Sequence, residues 1–81
     1  MRRYYFDLID AQGLSVDDEG LECSDTQQVQ AEAARALADL AREAIHEAAG
    51  GLEQRMAISV RDDDGPVMEV EFSFEIHRSL R

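Results

Sequence analysis

Met56-Ala57-Ile58-Ser59-Val60-Arg61 and Met68-Glu69-Val70-Glu71-Phe72-Ser73-Phe74-Glu75-Ile76-His77 are two alternating runs joined by Asp62-Asp63-Asp64-Gly65-Pro66-Val67. Apolar and polar residues taking turns mark strands with one buried face, and a glycine-bearing acidic turn between them makes a β-hairpin. Facing Val60 with Met68, Ile58 with Val70 and Met56 with Phe72 keeps every large apolar residue on one side. That register leaves Asp63-Asp64-Gly65 as a three-residue loop with glycine at the left-handed position. A two-residue Asp64-Gly65 turn would slip the pairing and set Val60 against Glu69. Pro66 falls where a missing N–H is tolerated. In this register Phe74 and Ile76 overhang the last strongly apolar residue of the first strand.

Upstream of the hairpin the period changes to that of a helix. Asp25 can accept N–H groups of a first turn with Gln28 reaching back as its capping-box partner; Ser24 with Gln27 is the same arrangement one residue earlier. From Thr26 to about Ala49 neither glycine nor proline intervenes, and Gly50-Gly51 supplies a left-handed cap. The run makes roughly six turns, about 35 Å. Steps of 100° gather Gln28, Glu32, Arg35, Asp39, Arg42 and His46 into a polar stripe opposite Ala33, Leu37, Ala41, Ala44 and Ala48. Val29 and Leu40 flank the apolar seam on one side, Ala34 and Ile45 on the other. An alanine seam buries little area but lets a helix approach a sheet closely, so the strands must supply the bulk.

Before the helix, Arg3 to Ile9 alternates, with Tyr4, Phe6 and Leu8 on one face and Tyr5, Asp7 and Ile9 on the other. Asp10-Ala11-Gln12-Gly13 turns the chain into a short return strand, Leu14-Ser15-Val16; Asp17-Asp18-Glu19-Gly20 turns it again, and Leu21 and Cys23 share a face in extended chain. The expected fold is α+β, a two-layer ββαββ domain spanning residues 1–81, with a four-stranded antiparallel sheet and one long helix packed on one face. The order 2-1-3-4 makes every neighbouring strand antiparallel. Phe6, Leu37, Ile58 and Val70 should meet in its interior. The uncovered face should carry Arg3, Tyr5, Asp7, Ile9, Arg55, Ala57, Ser59, Arg61, Val67, Glu69, Glu71, Ser73 and Glu75.

A chain of 81 residues holds one small core. Its 44% hydrophobic content and ordered alternation mark a globular chain despite a net charge of −10 from 18 acidic and 8 basic residues. That surplus argues against nucleic acid and against anionic membranes, because neutralising phosphate takes positive charge. No apolar run approaches the roughly 18 residues of a membrane helix. Cys23 is the only cysteine, which excludes an intrachain disulfide and a thiolate zinc cage and fits a reducing compartment. The first residues meet Asp7 and Asp10 before any long apolar stretch, unlike a signal peptide, so the expected location is cytoplasmic.

The order Tyr4-Tyr5-Phe6-Asp7-Leu8, Asp10, Asp17-Asp18-Glu19-Gly20, Glu22, then Asp25 opening an alanine-rich helix and a closing hairpin at Asp63-Asp64-Gly65, resembles a family of small uncharacterised proteobacterial proteins. The likeness covers most of the chain and rests on turn and core signals. It implies the fold, and it assigns no activity to any residue. Two departures stand out: Cys23 where those proteins usually have a larger aliphatic residue, and a chain that continues from Phe74 to Arg81 where theirs tend to stop sooner.

No catalytic, cofactor-binding or metal-binding residue is expected. Asp62, Asp64, Gly65 and Glu71 have the spacing of a calcium loop, but Val60 and Pro66 stand at two of its other places, and the hairpin register turns Glu71 away. Asp17-Asp18-Glu19 could attract a divalent ion only weakly. His46 and His77 lie on different elements with nothing to pair them. Cys23 reads as a small buried hydrophobe, with an acidified thiol near the helix start as the alternative. The five glycines form no phosphate-cradling loop.

The expectation that follows is a non-enzymatic protein-interaction module whose open sheet face or strand edge meets a protein partner or a second copy of itself, as a homodimer. Its contact candidates are Tyr5, Ile9, Arg61, Glu69, Glu71, Phe74 and Ile76. The alternative is a small acidic regulator that sequesters a basic protein. On the open face Arg3, Arg55 and Arg61 can form a ladder of ion pairs with Asp7, Glu69 and Glu71.

Overall fold

Two alternating segments flank one helical segment in the chain, and they fold as β1 (Arg2–Asp10), β2 (Gly13–Ser15), β3 (Leu21–Cys23), α1 (Thr26–Glu47), β4 (Glu53–Asp62) and β5 (Gly65–Glu75). The computed structural model describes residues 1–47 and 53–75. The sheet runs β2-β1-β4-β5 with every pair antiparallel, the order expected once the two strands after the helix are counted as third and fourth. β3 adds a fifth short strand, paired with Arg2–Tyr4 of β1, while β2 pairs with Leu8–Asp10. The expected Gly50-Gly51 cap and Ile76 lie outside the described residues.

Helix α1 starts as its capping residues require. Asp25 Oδ1 accepts the Gln28 N–H at 2.8 Å, and the Gln28 side chain reaches back to Ser24 N at 2.7 Å, one residue beyond the usual capping-box partner. The alanine seam faces the sheet. Val29, Ala33, Leu37 and Ala41 are buried against Tyr4, Met56, Ile58 and Val60, with Phe6, Val70 and Phe72 packed at the margin. Phe6, Leu37, Ile58 and Val70 therefore do share one interior. The flank holding Ala34 and Ile45 faces away, and Ile45 is exposed, because the helix turns its Val29 and Leu40 side inward.

The hairpin keeps the expected pairing of Val60 with Met68, Ile58 with Val70 and Met56 with Phe72. Its tip corrects the three-residue loop. Asp62 pairs with Gly65 around a two-residue Asp63-Asp64 turn, and a bulge between Val60 and Arg61 absorbs Val67 as the extra residue. A bulge places two successive side chains nearly on one side, so Val67 joins Met68 against the core where the open face was expected. Gly65 retains the positive φ, at 122°. β4 also begins three residues earlier than its apolar run, at Glu53, so Phe74 extends past Met56 as expected but is still paired, opposite Gln54.

Candidate functional site

The face of the sheet away from α1 is organised in transverse rows, because directly opposed residues in antiparallel strands share a face. Tyr5 stands beside Arg61 in one row; Asp7, Ser59 and Glu69 form the next; Leu14, Ile9, Ala57 and Glu71 form a third. The first two rows are tied down by a polar latch, and the third is left bare.

The latch forms where β2 and β3 leave the middle of β1 without a partner on the side away from β4. Asp17, in the connection between them, fills that place: its carboxylate accepts N–H groups from Phe6 at 3.1 Å, Glu19 at 3.1 Å and Gly20 at 3.2 Å. Its own N–H donates to Asp7 Oδ1 at 2.9 Å. Arg61 closes the circuit, donating through Nε to Asp7 Oδ2 at 2.9 Å and through Nη2 to the Asp17 carbonyl at 2.9 Å, with its guanidinium 4.6 Å over the Tyr5 ring. Asp7 can thus be buried at 8% exposure, since its charge is paired and hydrogen-bonded. Burial pushes the Asp17 carboxyl up, but the three backbone donors and Arg61 outweigh it and hold the group below the ordinary carboxylate range. The hydrogen bond that Arg61 donates to Asp7 is the main cause that raises Arg61. Gly20 is required here. Its φ is +75°, and a Cβ would lie 2.9 Å from Arg3 Cγ and 3.0 Å from the Tyr4 carbonyl oxygen.

Beside the latch, Ile9, Ala57, Arg55, Glu69 and Glu71 line an open depression of about 430 Å³. Ala57 forms its floor at 6% exposure, Ile9 stands at 38%, and Leu14 extends the apolar row outward at 63%. Among the described residues, neither Glu69 nor Glu71 has a hydrogen-bond or ion-pair partner for its carboxylate. The expected ladder forms only at Arg61–Asp7. Arg3 turns instead to Glu22 at 3.5 Å and to the Glu19 carbonyl at 2.7 Å. Next to this depression runs the outer side of β5, which among the described residues pairs with β4 along its other side only.

The contact candidates therefore divide. Ile9, Glu69 and Glu71 come together around the depression, whereas Tyr5 and Arg61 are engaged in the latch. Phe74 is half-buried on the helix side, its ring centroid 5.8 Å from that of Phe72. Asp7 and Asp17 organise the face, and sequence reading gave neither that role. The available signal was Asp7 within the apolar run of residues 4–9 in β1, sharing its face with Arg61.

The remaining chemical candidates have structural occupations. Cys23 is 1% exposed, and burial first, with Glu32 and Asp25 adding to it, pushes its thiol up; the acidified-thiol alternative is thereby overturned. Asp62 accepts the Asp64 N–H at 2.8 Å and pairs with Arg2 at 2.9 Å, while Glu71 stands across from Ala57. The Asp64 N–H is the leading cause that lowers Asp62. Among the described residues, no group of three or more His, Cys, Asp or Glu side chains is placed to hold a metal ion, and no helix is long and apolar enough to cross a membrane.

A five-stranded antiparallel sheet roofed on one side by a single alanine-seamed helix, with an acid-and-arginine latch on the other, defines a small open-faced α+β domain. The chain belongs to the family described as Domain of unknown function (DUF6894), whose model matches residues 3–73. The match spans every element from β1 into β5, and the latch and its Gly20 turn fall inside it. No curated protein and no solved structure matches the chain.

Proposed function

We propose that this domain is a non-catalytic protein-interaction module that engages a protein partner through the β5 side of its uncovered sheet face. One observation carries the reading: the row Leu14, Ile9 and Ala57 ends at Glu71, with Glu69 alongside, and among the described residues these acids have no hydrogen-bond or ion-pair partner, while Asp7, Asp17 and Arg61 on the same face are tied into a latch. An apolar strip rimmed by uncommitted charge has the make-up of an interaction surface, with a small desolvated centre and a polar rim. The regulator reading draws on net charge alone and names no particular surface.

Capture from the source cell tests it. Wild-type protein should retain a partner that Ile9→Arg and Glu71→Arg lose, while Asp39→Ser, on the helix's polar stripe, retains it. An unchanged set of captured proteins across all three variants overturns the reading. Retention that vanishes from wild type and Glu71→Arg alike above about 0.15 M salt supports the acidic regulator in its place.

A further inference from the structure

We infer that the outer edge of β5 takes an extended partner segment with arginine or lysine at alternate positions, adding a strand to the sheet; this rests on the interaction-module reading and names the partner's chemistry. β5 runs for 11 residues and, among the described residues, pairs with β4 alone, so along its other side alternate residues direct N–H and C=O groups outward. Natural sheets guard such edges with proline, with bulges and with charged side chains, lysine above all. Here the proline and the bulge sit at the turn: Pro66, and the bulge that absorbs Val67. From Met68 to Glu75 the edge has neither, and its charges are all acidic, which guards it against another acidic strand and leaves it open to a cationic one. Eight residues of uninterrupted strand, about 26 Å, remain to template a partner.

The side chains on that stretch specify what the partner carries. Glu69 and Glu71 stand on the uncovered face, while Val70, Phe72 and Phe74 are half-buried on the helix face. An added strand sets its own residues directly across from these. Cations across from Glu69 and Glu71 gain a cross-strand pairing that neither acid has among the described residues, and apolar residues between them cover the flanks of Val70 and Phe72. A second copy fits badly. Two-fold pairing of β5 with itself centred at Val70, Glu71, Phe72 or Ser73 sets glutamate against glutamate in every case: Glu69 with Glu71, Glu71 with Glu71, Glu69 with Glu75, or Glu71 with Glu75. The net charge of −10 repels a second copy and draws in a cationic segment.

Full-length protein and the synthetic peptide Arg-Val-Arg-Phe-Arg-Val-Arg provide the test, beside the same peptide N-methylated at alternate amides and one with glutamate in place of each arginine. Alternate amides from Glu69 to Phe74 should gain hydrogen-exchange protection on peptide binding. N-methylation, which keeps every charge but removes the edge hydrogen bonds, should weaken binding roughly tenfold or more, as should the pair Glu69→Arg and Glu71→Arg. Equal affinity for methylated and unmodified peptides overturns strand addition, and so does binding of the glutamate peptide as tightly as the arginine one. Light scattering that shows a dimer with the same amides protected before peptide is added makes a second copy the occupant and also overturns it. Failure of the peptide while Ile9→Arg still abolishes cellular capture removes this inference and leaves the interaction-module reading standing; loss of both removes both.

Discussion

Asp17 stands where a strand would, and its worth can be read in two ways. Three backbone donors converge on its carboxylate, and hydrogen bonds to a charged group contribute about 1.5–3 kcal/mol where neutral ones give about 1. Asp17→Asn keeps the shape and removes the charge, so it should cost about 1.5–3 kcal/mol in urea unfolding at pH 7. The pH dependence has a definite sign. The group lies below its ordinary value in the folded protein, so its contribution is complete above the unfolded value near 4 and is lost as pH falls through the lower, folded value. The gap between wild type and Asp17→Asn should stay constant from pH 7 to about 5 and close toward pH 3. A gap independent of pH contradicts the charge assignment. Gly20 gives a second reading of the same turn. Gly20→Ala meets both a positive φ and the Tyr4 carbonyl oxygen, whereas Gly13→Ala meets strain alone in open space. The first should exceed the second by about 1 kcal/mol or more in the same unfolding experiment. Asp17-Asp18-Glu19-Gly20 is legible in the sequence as a turn, because aspartate and glycine act locally. That the Asp17 carboxylate reaches Phe6, eleven positions back, is not, since periodicity reports faces and says nothing of which gap in a ladder a side chain fills.

At the scale of elements, residues that repeat made the fold legible, and residues that break the repeat hid its details. The period-two runs fix the pairing of Ile58 with Val70 because any slip would turn the apolar set toward water. The same logic is blind to the bulge at Val67, which costs one residue of regularity and leaves the main register intact. β3 reads in the sequence as extended chain with Leu21 and Cys23 on one face, but at three residues it carries no register signal to say that it pairs with the start of β1. The helix seam was visible as a seam, and its consequence can be measured. Ala33 is fully buried, so Ala33→Leu must push α1 away from the strands and should destabilise by about 1–3 kcal/mol. Ala34→Leu, one residue on and exposed, should change stability by less than about 0.5 kcal/mol, since leucine and alanine are both strong helix formers. Thermal unfolding followed by circular dichroism compares the two, and equal losses would mean that the seam is not closely packed.

Across the whole molecule, charge works against the folded state, and this separates the acids that hold the fold from those that do not. Arg2, Arg3, Arg35, Arg42 and Arg61 each lie within 2.9–3.5 Å of a carboxylate, yet most of these pairs are exposed, and such pairs contribute a few tenths of a kcal/mol at best. A chain carrying −10 overall repels itself over distances that salt screens readily: the Debye length shrinks from about 30 Å at 0.01 M to about 8 Å at 0.15 M. The melting temperature should therefore rise with added sodium chloride, and a fall would mean that the ion pairs dominate. Glu69 and Glu71 add to the repulsion, and among the described residues neither has a hydrogen-bond or ion-pair partner. Neutralising both, as Glu69→Gln with Glu71→Gln, should raise the melting temperature and flatten its salt dependence, while the same change at Asp7 and Asp17 should lower it. A drop on neutralising the β5 pair would mean that those acids serve the fold. A gain means that the chain keeps them at a cost to its own stability, as expected of charges placed for a partner.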